Sequence, residues 1–185
     1  MSSSVPDGIL SSRPVSRLTT RSLQQSLELS STSSQATLET KAVRSIADLG
    51  EFELRPADAA ECVAWGVTPQ EALTESIELS WQSYLTSFGG EPLCVWGYRP
   101  TNVLAQLVDM WMLSTPAVGQ RGVMFARESD RLCRGLLREF RSIRVLVSRD
   151  HALAVRWLEW LGFRNFMPAA AGFMFMQKDR TEWES

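Results

Sequence analysis

Histidine occurs once in this 185-residue sequence, tyrosine twice (Tyr84 and Tyr98) and cysteine three times (Cys62, Cys94 and Cys133). No Cys-x-x-Cys pair exists, and a structural zinc site needs about four nitrogen or sulfur ligands, so no metal centre is expected. An odd number of widely spaced cysteines also argues against a disulfide framework. Three reduced, partly buried thiols in a cytosolic protein are the expectation. No apolar run approaches the ~20 residues of a membrane-spanning helix. Before residue 41 the longest apolar stretch is Ile9-Leu10, too short for the core of a secretory leader. A soluble protein made in a cytoplasm is therefore expected. Excess charge of one sign is missing too: 19 basic against 21 acidic residues leave a net charge of -2. That total advertises neither nucleic acid nor an anionic membrane as partner.

What is present suffices for a core. The hydrophobic fraction of 44% is close to the globular average, and the length fits one domain plus a tail. Residues 1–41 stand apart as a Ser/Thr-rich arm without aromatics, interrupted by Pro6 and Pro14, which buries too little apolar surface to offset its ordering entropy. Leu23 and Leu27, four apart, would form a short apolar strip if a partner covered it, with Arg13, Arg17 and Arg21 just upstream. These five residues are the candidate partner-binding set of a flexible arm. Residues 42–178 read as the folded domain and 179–185 as a polar tail.

Local signals order the domain. Residues 42–46 read as a first short strand. Pro56 opens a helix that Gly66 ends. Thr68-Pro69 caps a second, with Glu71 completing a capping box, and Leu73, Ile77, Trp81 and Leu85 recur every four residues as its inner face. Residues 85–88, 92–98 and 103–112 follow as strands of an antiparallel meander, punctuated by Gly89-Gly90 and by residues 99–102. Trp96 and Trp111 read as packing residues. A long helix then starts between Thr115-Pro116 and Gly122, burying Phe125, Leu132, Leu136 and Phe140 while Arg127, Arg131, Arg134 and Arg138 face outward. After a strand at 143–147, Asp150 caps a last helix with Ala154, Trp157, Leu158 and Leu161 inward. Trp160 is expected at its edge, and Gly162 in the left-handed turn behind it. Strands at 163–166 and 172–177 close the domain.

The segment "IRVLVSRDHALAVRWLEWLGF", residues 143–163, resembles the strand–helix–Gly-Phe signature of the GNAT N-acetyltransferases. Together with the order of elements before it, the resemblance covers about residues 43–177. It implies an α/β fold, a GNAT-like mixed central sheet flanked by helices. Within that superfamily, "ADAAECVAWGVTPQEAL", "MWMLST", "RWLEWLGF" and "AGFMF" resemble, in order, a family of small GNAT-like internal virion proteins of short-tailed bacteriophages. That resemblance implies a structural virion protein docking on portal, capsid or other internal virion proteins. It would be made in the infected cell and present in symmetric copies.

The chemistry of an acetyltransferase is expected to be incomplete. Such enzymes cradle the acetyl-CoA pyrophosphate on backbone N–H groups at a helix N-terminus, in a Gln/Arg-x-x-Gly-x-Gly/Ala loop. The matching residues are Gly119, Gln120, Arg121 and Gly122, which bind the cofactor only if activity survives, because the spacing of the motif is absent. The tyrosine that protonates the departing thiolate in many relatives falls at Leu158, which cannot donate. Glu61, Glu91, Asp109 and His151 remain as candidate bases, His151 being expected as a solvated residue in the first turn of its helix. No catalytic residue and no cofactor is expected; the alternative is an acetyl-CoA-dependent N-acetyltransferase.

Overall fold

The computed structural model describes residues 37–181, so Arg13, Arg17, Arg21, Leu23 and Leu27 lie outside the described residues. The strands are β1 (Leu38–Val43), β2 (Gln82–Phe88), β3 (Glu91–Asn102), β4 (Leu107–Ser114), β5 (Ser142–Ser148), β6 (Arg164–Pro168) and β7 (Phe173–Asp179). The α-helices are α1 (Pro56–Trp65), α2 (Pro69–Leu79), α3 (Gly122–Glu139) and α4 (Ala152–Trp160). One seven-stranded sheet runs in the order β1-β2-β3-β4-β5-β7-β6. Among the described residues only β4 and β5 pair in parallel, as a crossover through α3 requires.

Alternation along the strands divides the core. On one face α3 and α4 pack Leu136, Leu137, Leu158 and Leu161 against Trp96, Val108, Met110, Ile143 and Val145. On the opposite face α2 sets Leu73 and Ile77 on Val43, Leu85 and Val95. The two helical layers therefore lie on opposite sides of the sheet.

Several element boundaries differ from the sequence reading, each for a local reason. β1 begins at Leu38 and ends at Val43. The chain turns at Arg44 and Ser45, whose N–H groups both donate to Asp48 Oδ2, and Ile46–Leu49 forms a 3-10 turn. α2 stops at Leu79, because Ser80 takes an extended ψ of 145°. Trp81 and Leu85 thus continue the four-residue spacing by coincidence; Trp81 is exposed and Leu85 sits in β2. β3 runs through Pro100 to Asn102, and the turn comes later. Asn102 Oδ1 accepts the Ala105 N–H, which leaves Val103 and Leu104 at the tip, Leu104 99% exposed. A 3-10 helix, Pro116–Arg121, precedes α3, and no side chain caps it at Thr115. The cap position of α4 is His151, and Asp150 instead donates its N–H to Ser148 Oγ.

The capping box of α2 forms as written in the sequence. Glu71 N donates to Thr68 Oγ1 at 3.2 Å, and Thr68 N donates to Glu71 Oε2 at 2.8 Å. Thr68→Ala is expected to cost about 1 kcal/mol, read as a lower midpoint in thermal melting. The Thr68 N–H, and after it the Thr68 hydroxyl, hold the Glu71 carboxyl below its ordinary value. The box thus contributes stability above the usual carboxylate range, and that stability fades as pH falls through the lowered value.

Candidate functional site

The parallel pairing of β4 and β5 lasts four residues. Leu107 to Met110 pair with Ser142 to Val145, and beyond them the strands have no pairing with each other. Both continue, β4 to Ser114 and β5 to Ser148, so a wedge opens between their C-terminal halves. A cavity of about 90 Å³ lies there, walled by Met110, Met112, Val145, Val147, Leu132 and Trp157, with Arg55, Asp58, Glu61 and His151 as its ionisable lining.

α1 supplies Asp58 and Glu61, its N-cap residue is Arg55, and together they close the wedge. Thr115 N donates to Leu93 O, so the backbone groups of the preceding Ser114 point the other way, toward β5. Both are taken by the start of α1. Ser114 N donates to Asp58 Oδ2 at 2.6 Å, and Arg55 N donates to Ser114 O at 2.8 Å. Asp58 is held in turn by Arg55 Nε at 2.6 Å and is buried, 3% exposed. On the β5 side Ser148 N donates to Glu61 Oε1 at 2.6 Å, and Glu61 Oε2 meets His151 Nδ1 at 2.9 Å. Asp58 and Glu61 stand one helical turn apart, which lets one short helix bridge both strands.

His151 is thus not a solvated residue. Its side chain is 9% exposed and pairs with Glu61, which lies 90 positions away in sequence. The other two candidate bases are engaged elsewhere. Glu91 pairs with Arg121 at 2.8 Å, and Asp109 accepts a two-pronged bond from Arg144 at 2.7 and 2.9 Å.

Asp58, Glu61 and His151 bring three ligand-type atoms within 4.8 Å of one another. Each of the three is already engaged, Asp58 by Arg55 and Ser114 N, and Glu61 by Ser148 N and His151. The Arg55 guanidinium on Asp58 opposes a cation as well. The site is an ion-paired latch.

The sequence-predicted cofactor residues fall in the turn from β4 to α3. Gly119 and Gln120 are exposed in the 3-10 helix, and Gly122 opens α3 directly behind it. Arg121 is not free for a phosphate: it pairs with Glu91, lies 4.9 Å over the Phe88 ring and donates to Ala117 O. With Gly122 taken as the first glycine of the donor motif, Gly119 stands where Gln or Arg belongs and Met124 where the second glycine belongs. Leu158 is buried in the core. Tyr84 and Tyr98 both donate to Gln82 Oε1, and neither lines the cavity. Burial raises the Cys62 thiol, and the Asp58 and Glu61 carboxylates push it further, which disfavours the thiolate. Burial likewise pushes Cys94 up to about 12.

No protein-family profile and no curated protein sequence matches the chain. Solved structures do. Aminoglycoside acetyltransferase AAC(6′)-Ib in complex with coenzyme A superposes with a TM-score of 0.57 at 17% identity, over 78% of this chain and 95% of that one. A chimera of spermidine N-acetyltransferase SpeG from Vibrio cholerae and hSSAT gives 0.56 at 11%, over 79% and 97%. The chain has the GNAT fold. A GCN5-related N-acetyltransferase from Kribbella flavida is similar in the same way, with a TM-score of 0.53 at 20% identity over 77% and 97%. Two features of this chain bear on how an acyl donor would meet the wedge. The wedge edge of Ser114 is occupied by Asp58 and Arg55, and Arg121 of the phosphate turn is engaged by Glu91.

Proposed function

We propose that this chain uses the GNAT fold as a binding module without acyl transfer, and that it works as an internal component of a bacteriophage particle. There it would dock on the portal, the capsid or another internal virion protein. The single observation that carries the loss of catalysis is the occupation of both wedge-facing backbone groups of Ser114 by Arg55 and Asp58. An extended donor lying along β4 would have to displace a buried carboxylate held by an arginine. The phage setting rests on the ordered sequence resemblance described above.

Calorimetry of the full chain with acetyl-CoA tests the first half. No heat of binding is expected at ligand concentrations of about 100 μM, and a micromolar isotherm would overturn the reading. Mass spectrometry of purified particles tests the second, since absence of the chain from them removes the docking role.

One observation favours a second reading, an acetyl-CoA-dependent N-acetyltransferase. Glu61 and His151 form a largely buried carboxylate–imidazole pair at the lining of the cavity, the type of pair that accepts a proton from an amine. Gly119 and Gly122 also have open space where a Cβ would stand. The calorimetric experiment separates the two readings directly.

A further inference from the structure

The charges of this chain nearly cancel as a total, and the fold separates them. Residues 37–118 carry 11 acidic and 4 basic side chains; residues 119–181 carry 12 basic and 6 acidic. α1, α2 and the turn between them hold five acidic residues and no basic one. α3, on the opposite face of the sheet from α2, carries Arg127, Arg131, Arg134 and Arg138.

At about 100° per residue these four arginines fall within roughly 60° of one another around the helix axis. All four are exposed, and they point away from the row of Ser129, Cys133, Leu136 and Leu137 that α3 buries. Folding gives no reason for the arrangement. Like charges three and four residues apart destabilise a helix by about 0.2–0.5 kcal/mol per pair, and the stripe contains three such pairs. Glu128 and Asp130 flank it and bind Arg131 and Arg134, yet those two arginines remain 62% and 64% exposed. No ion pair engages Arg127 or Arg138 among the described residues.

We propose that the outer face of α3 is a docking surface for the phosphate backbone of duplex nucleic acid, without sequence preference. The stripe runs about 16 Å along the helix axis at 1.5 Å per residue. With one phosphate per ~3.4 Å of each strand, that length spans about five phosphates. Guanidinium groups suit the task because their planar fork bonds two phosphate oxygens at once. An acidic polypeptide is the competing partner; the straight, single-sign row with no exposed apolar residue inside it favours a uniformly charged polymer.

Fluorescence anisotropy of the full chain with a labelled duplex of about 30 base pairs tests this. Four phosphate contacts predict binding that weakens about a hundredfold between ~50 and ~200 mM salt. The variant R127Q/R131Q/R134Q/R138Q should melt as the parent does and lose at least about tenfold in affinity at the lower salt, with a salt slope smaller by about three to four. Should that variant fail to fold, E128Q/D130N serves instead, and it should bind more tightly than the parent. Absence of binding at ~50 mM salt, an unchanged affinity of the stripe variant, or displacement of the duplex by polyglutamate at equal charge would each overturn the proposal. So would loss of binding in R13Q/R17Q/R21Q with the stripe intact.

Discussion

Replacing Asp58 by alanine is expected to destabilise the domain by about 3–5 kcal/mol, the range for removing one partner of a buried ion pair. Asp58 is buried with both oxygens bonded, Oδ1 to Arg55 Nε and Oδ2 to Ser114 N. Alanine leaves the Ser114 N–H without an acceptor in a buried position and the largely buried Arg55 guanidinium without a counter-charge. Asp58→Asn separates the two losses. Its amide oxygen can still accept from Ser114 N while the charge on Arg55 is unpaired, so a smaller loss is expected. Urea unfolding of both variants measures the difference, and an Asp58→Ala midpoint within about 0.5 kcal/mol of the parent would mean that α1 does not hold the wedge.

Gly97→Ala is the second substitution with a large expected effect. A Cβ at this position in β3 would stand 2.8 Å from Ser80 Oγ, Ser83 Oγ and Trp111 Nε1. Two of the three are held by bonds of their own. Trp111 Nε1 donates to Ser80 Oγ at 2.7 Å, and Ser80 Oγ donates to Ser76 O at 2.7 Å, which ties the end of α2 to β4. One methyl group therefore meets a bonded chain of polar atoms beneath an indole. Overpacking of this kind costs about 1–3 kcal/mol, and here the Trp111–Ser80 bond is strained as well. A fall in melting temperature of roughly 5–10 °C is expected for a domain of this size. Gly119→Ala is the control: with open space around its Cβ, it should shift stability by less than about 0.5 kcal/mol.

Much of the architecture was legible because its signals are local. Pro56 and Gly66 bound α1, and the Thr68-Pro69-Glu71 box starts α2. Gly162 adopts a φ of 93° behind α4. Each is decided by a few neighbouring residues. The meander was readable in outline, but its second turn was misplaced. Val103 and Leu104 look like strand residues and are apolar at an exposed tip, where the Asn102 side chain fixes the turn.

The site was the least legible part, since its bonds join distant positions. Asp58 reaches Ser114 over 56 residues and Glu61 reaches Ser148 over 87. His151 looked solvated because nothing near it in sequence announces the carboxylate that buries it. One faint signal existed: Asp58 shares the inner row of α1 with Cys62, four residues on, and a carboxylate on a buried row must find a partner. The arginines of α3 were read correctly as outward, whereas their meaning was hidden by a net charge of -2.

The brief pairing of β4 with β5 has a mechanical consequence. The antiparallel meander β1–β4 and the trio β5–β7–β6 meet along four register positions only, a short seam between two better-knit halves. Where the pairing ends, α1 takes over, and its carboxylates bolt one half to the other at Ser114 and Ser148. The Arg144–Asp109 pair and the apolar layer of α3 and α4 hold the paired end of the seam, so loosening α1 would release the splayed end first.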